Sequence, residues 1–135
     1  MIKKKKTPLV KKIPQVKKRI LVVDDEAPLA EMIAEYCEAL GFRAKSLTSG
    51  EHMMEEVKAF SPDLITMDLS MPGMSGLEAI RILRGAPETK HIPILIISAV
   101  ADNPDAVRDV LKQCEGILKK PLRIKTMKER IESIL

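Results

Sequence analysis

The 135-residue chain has no tryptophan, one tyrosine and two phenylalanines, so aliphatic side chains and its eight methionines must fill the core. Its two cysteines, Cys37 and Cys114, stand alone, with no second cysteine two or four residues away. That pattern argues against a cysteine zinc site and a disulfide framework, and it fits a reducing cytosol. No apolar run approaches the roughly 18 residues of a membrane span. Nor does an apolar stretch follow the N-terminal lysines to serve as a signal peptide. A cytoplasmic protein with no membrane span is expected.

Acid is missing from one region. Residues 1–19 hold nine of the 23 Lys and Arg and no Asp or Glu. The remaining residues carry 14 bases against 19 acids, a net of −5, so the overall charge of +4 comes from the N-terminal segment. Pro8, Pro14 and the like charges oppose both helix and packed strand there. Residues 1–17 therefore read as a flexible basic arm, and 18–135 as one domain large enough to bury a core. Residues 1–19 suit a polyanion; a solubilising extension is the competing reading.

After the arm, two periodicities alternate. Short runs rich in branched apolar residues at Arg19–Val23, Leu64–Met67, Ile94–Ile97 and Ile117–Lys119 read as strands, and Arg43–Leu47 as a shorter second strand. Between them, helical spacing appears in Leu29, Ile33, Cys37 and Leu40, in Met53, Val57 and Phe60, and in Leu77, Ile80 and Leu83. Pro104–Gln113 is weakly periodic, and Ile124, Met127, Ile131 and Ile134 mark a last helix. Gly41, Ser61-Pro62 and Gly85 supply the stops. Five βα units give an α/β fold, a parallel sheet covered by helices on both faces.

Four of these strands end in polar chemistry: Asp24-Asp25 after the first, Asp68 after the third, Ser98 at the fourth and Lys120 after the fifth. Ligands of open α/β sheets collect beyond the carboxyl ends of the strands. Two acids, a third acid, a hydroxyl and an ammonium would therefore share one crevice. Three carboxylates repel one another unless a cation intervenes, and Mg²⁺ prefers such oxygen ligands. The set reads as a Mg²⁺-assisted phosphoryl site with Asp68 as acceptor. Competing readings exist: Asp24-Asp25 as a helix cap, Asp68 as a solvated loop acid, and Ser98 as a hydroxyl satisfying backbone.

The ordered set of acidic pair, Asp68, Met71-Pro72-Gly73-Met74-Ser75-Gly76, Ser98-Ala99 and Lys120-Pro121 resembles the response-regulator receiver domains of two-component signalling, from about Lys18 to Leu135. The resemblance implies a flavodoxin-like sheet of five parallel strands in order 2-1-3-4-5, flanked by five helices. It implies that Asp25 and Asp68 bind Mg²⁺ directly, Asp24 through water, and Ser70 through its backbone carbonyl. Lys120 and Ser98 would contact the phosphoryl oxygens, and Ser70 and Val100 would set the lifetime of the phosphate. Implied partners are a histidine kinase or phosphotransfer protein and an unknown downstream protein. The chain resembles a stand-alone receiver or one cut from a longer protein. A cis Lys120–Pro121 bond is expected, because the fifth strand must turn sharply while aiming Lys120 into the crevice.

Two departures stand out. Ile117 occupies a position where receivers commonly carry Tyr or Phe, and Gln113-Cys114-Glu115-Gly116 differs from the usual approach to the fifth strand. Two other function classes compete with this one. An aspartyl-nucleophile phosphatase of the haloacid-dehalogenase kind would place a second Asp where Ser70 stands, so no enzyme is expected. A module binding nucleic acid or an anionic surface through its arm, with the domain as passive carrier, is the alternative.

Overall fold

The computed structural model describes residues 16–71, 73–99 and 104–135, with the backbone alone at 104–107. Most of the basic arm, Pro72 and Val100 thus lie outside the described residues. The expected strands form as β1 (Arg19–Val23), β2 (Arg43–Leu47), β3 (Leu64–Met67), β4 (Ile94–Ser98) and β5 (Gly116–Lys119). Between and after them lie α1 (Ala27–Ala39), α2 (Met53–Phe60), α3 (Gly76–Gly85), α4 (Pro104–Leu111) and α5 (Ile124–Ile134). All neighbouring strands pair in parallel, in the order β2-β1-β3-β4-β5. That is the flavodoxin-like order expected.

Strand side chains alternate between two cores. Leu21, Val23, Ile65, Met67, Ile94 and Ile96 face α2, α3 and α4, where Val57, Ile80, Leu83 and Val110 meet them. Ile20, Val22, Leu64, Leu95 and Ile97 face α1 and α5, against Ile33, Cys37, Met127 and Ile131. Burial on both faces explains why the central strands read as unbroken apolar runs. Methionine does replace the missing aromatics: Met53, Met67 and Met127 are fully enclosed.

Local sequence sets the helix ends. Ser75 caps α3 by accepting the Glu78 amide at 3.3 Å, with Glu78 in the first turn, as a capping box places it. Ser61 ends α2 in the left-handed region (φ 52) and donates its amide to the Val57 carbonyl. β4 extends one residue beyond expectation to include Ser98, and β5 starts one earlier, at Gly116. α4 stops at Leu111 rather than Gln113, because the Gln113 amide bonds to the Val110 carbonyl in a tight turn and Arg84 takes the Gln113 carbonyl. The Lys120–Pro121 bond is cis, as expected.

Candidate functional site

The hydrogen-bond ladders run past the strand ends and pin the site residues by their backbones. The Asp24 amide donates to the Leu47 carbonyl of β2, the Asp68 amide to the Val23 carbonyl of β1, and the Lys120 amide to the Ser98 carbonyl, all at 2.9–3.0 Å. Each polar residue is therefore fixed by a neighbouring strand rather than by a loop of its own.

The side chains converge as the sequence implied. Carboxylate oxygens of Asp24, Asp25 and Asp68 lie within 4.8 Å of one another, with Asp24 and Asp68 buried and Asp25 half-buried. Lys120 reaches back across β4, placing Nζ 2.8 Å from Asp24 Oδ2 and 3.5 Å from Asp68 Oδ2. The contact with Asp24 has hydrogen-bond length, although its angle leaves Asp24 Oδ2 without a well-directed donor among the described residues. Burial by itself would lower the Lys120 pKa. The contact with Asp24 and the charges of Asp24, Asp68 and Glu26 outweigh it and hold the ammonium above its usual value.

The bland readings fare poorly against this geometry. The N-cap of α1 is Glu26, whose side chain makes no capping bond; Asp24 Oδ1 instead accepts the Glu26 amide at 2.9 Å. Asp68 is buried, and its Oδ1 takes a long contact of 3.3 Å from the Ser70 amide. Ser98 Oγ is buried without a hydrogen-bond partner among the described residues, so it does not serve the backbone. An unpaired buried hydroxyl is costly, and ligand sites are where such groups persist.

Three roles are not legible in the sequence, although one of the residues, Gly76, lies within the Met71–Gly76 motif. Gly76, the first residue of α3, has no room for a side chain: a Cβ there would lie 2.0 Å from the Asp68 carbonyl oxygen and 2.6 Å from Leu69 Cα. The helix can start against the acceptor's backbone only because this residue is glycine. Glu26 brings Oε1 to 3.7 Å from Lys120 Nζ, a contact that its place beside the acidic pair could have signalled. Arg84, at the far end of the sheet, had no local signal; its partners lie up to 31 residues away.

Residues 20–132 match the family described as the response regulator receiver domain. The chain belongs to that family. The DNA-binding response regulator MtrA of Mycobacterium tuberculosis is 32% identical to this receiver over 120 residues, which are 89% of this chain and 51% of that protein. The phosphate regulon transcriptional regulatory protein PhoB of Escherichia coli is 31% identical over 118 residues, 87% of this chain and 52% of its own. The receiver thus spans about half the length of these relatives. A CheY-like receiver domain from Methylobacillus flagellatus superposes with a TM-score of 0.78 at 26% identity, covering 89% of this chain and 100% of that one. Chemotaxis protein CheY4 of Vibrio cholerae, at 22% identity, gives 0.81 with the same coverages and bears on the fold alone. No helix among the described residues of this receiver is long and apolar enough to cross a membrane.

Proposed function

We propose that this receiver accepts a phosphoryl group on Asp68 from a phosphohistidine of a histidine kinase or phosphotransfer protein, in the cytoplasm. The observation that carries the reading is the convergence on Asp68 of two more carboxylates, the Lys120 ammonium and a buried hydroxyl, Ser98 Oγ, that no described residue engages.

The Asp68 carboxylate attacks phosphorus, the bond to the donor imidazole breaks, and the imidazole nitrogen keeps the electron pair. Asp24, Asp25, Asp68 and the Ser70 backbone carbonyl would hold Mg²⁺, and three carboxylate oxygens within 4.8 Å fit its preference for hard oxygen donors. When bound, the ion neutralises charge between nucleophile and phosphoryl dianion. Lys120 adds a point charge beside Asp68, and the Ser98 hydroxyl donates to a phosphoryl oxygen. The product exchanges the single carboxylate charge for a phosphoryl group carrying about −1.5 to −2, a net gain of up to about one negative charge set in a new place, enough to bias a two-state surface read by a downstream protein. The chain is then an acceptor rather than an enzyme, since the group ends on its own side chain.

Incubation with acetyl phosphate and Mg²⁺ tests this. One added phosphoryl mass is expected on the wild type and none on Asp68→Asn; equal labelling of both overturns the assignment. A second reading rests on the nine cations of residues 1–19, which suit nucleic acid or an anionic surface. Such binding should weaken steeply between about 50 and 200 mM salt and vanish when residues 1–17 are removed.

A further inference from the structure

Lys120 has more acid around it than the phosphoryl reaction needs. Among the described residues three carboxylates approach its Nζ: Asp24 at 2.8 Å, Asp68 at 3.5 Å and Glu26 at 3.7 Å. Asp24 and Asp68 belong to the trio whose oxygens lie close enough to share a cation, and Glu26 does not. Glu26 is also oddly placed for a residue at a helix start. It is the N-cap of α1, yet its side chain makes no capping bond, although the unsatisfied amides and positive dipole end there favour a carboxylate. Its backbone amide is held by Asp24 Oδ1 and its carbonyl by the Ala30 amide. The backbone is therefore fixed and aims the free carboxylate across the crevice mouth at Lys120.

We propose that Glu26 is a positioning residue that competes with the incoming phosphoryl group for Lys120; the inference rests on the phosphoryl-accepting reading above. Once a divalent cation draws on Asp24 and Asp68, Glu26 is, among the described residues, the one carboxylate contacting Lys120 that remains uncommitted. It then holds the ammonium at the α1 side of the crevice. A phosphoryl group on Asp68 takes Lys120 away from it. Since both partners want the same cation, every gain in Lys120–Glu26 contact is a loss in Lys120–phosphoryl contact. Glu26 is mostly exposed, so solvent screens the pair and its effect is modest. It tunes how firmly the receiver keeps its charge-bearing group without touching that group.

The test uses the full chain with Mg²⁺ and beryllium trifluoride, a stable phosphoryl mimic, in wild type and Glu26→Gln. Removing the competing charge should tighten binding of the mimic roughly two- to fivefold. In the Mg²⁺-loaded protein without the mimic, the same substitution should shift the ¹⁵Nζ resonance of Lys120. Unchanged affinity overturns the proposal. Tighter binding with an unmoved Lys120 resonance also overturns it, because Glu26 would then act directly on the anion through space. A wild type that takes up no mimic at all would instead count against Asp68 as the acceptor.

Discussion

Arg84 Nη2 meets Glu115 Oε1 at 3.1 Å, and the same carboxylate oxygen accepts the Ile94 amide at 2.7 Å. Arg84 also donates to the carbonyls of Gln113 (2.8 Å), Lys90 (3.0 Å) and Ile92 (2.6 Å). One largely buried guanidinium thus ties the end of α3 to the start of β4 and to the turn before β5. The departure from the family at residues 113–116 has a structural job: Glu115 and the Gln113 carbonyl complete this clamp. Arg84→Met should cost about 1–3 kcal/mol, since it removes several charged hydrogen bonds, the one to the Ile92 carbonyl partly buried. Glu115→Gln keeps an acceptor for Ile94 and should cost less. Urea unfolding of the two variants checks the ranking; equal, negligible losses would mean that water replaces the clamp.

Gly76→Ala forces a methyl into the Asp68 carbonyl oxygen, so α3 or the acceptor must shift. Destabilisation of about 1–3 kcal/mol is expected, in the range for overpacked sites. Phosphoryl uptake should fall at the same time, even under conditions where the variant is fully folded. Unfolding curves and acetyl phosphate labelling on one preparation separate the two effects, and full uptake by the folded variant would contradict a tight α3 start.

The raised pKa of Lys120 fixes a sign for pH dependence. A lysine whose folded value exceeds its unfolded one stabilises fully below the unfolded value, about 10.4, and loses that contribution as pH rises through the folded value. The stability gap between wild type and Lys120→Met should therefore stay constant from roughly pH 7 to 9 and narrow only above about 10.4. Cys37 acts at alkaline pH as well, because burial pushes its thiol up to about 12, with the Glu38 charge adding to the effect. The folded protein then keeps a proton that the unfolded chain releases from about pH 8.5 upward, and stability declines. That decline is common to both proteins and cancels in the gap. Narrowing near neutral pH would show that Lys120 discharges there.

Mg²⁺ should raise the thermal midpoint of the wild type by mass action, since it binds only the folded trio. Asp25→Asn should remove most of that rise while leaving the metal-free protein folded, because one carboxylate fewer relieves repulsion. Scanning calorimetry with and without the ion decides; an equal rise in both proteins places the ion elsewhere.

The central strands and the polar residues at their ends were legible because burial on both faces and polar residues set directly at the strand ends leave simple local patterns. Ile20–Asp25 and Leu64–Asp68 are the clearest cases. The end of α4 was not legible, since Arg84 decides it from 29 residues away. Gly76 read as part of a motif, but its reason, the Asp68 carbonyl pressed against its α-carbon, is a tertiary contact. Glu26 is masked in the sequence by the aspartate pair beside it, although its position places it at the crevice.

The Asp24 amide hangs on the Leu47 carbonyl, which makes the edge strand β2 a silent partner in the chemistry. β2 contributes no side chain to the crevice, and none of its residues is fully buried. Yet the depth at which Asp24 sits is inherited from it. A transplant of the acids, serine and lysine onto another sheet would carry every reactive atom and still misplace the first carboxylate unless this chemically mute strand travelled with them.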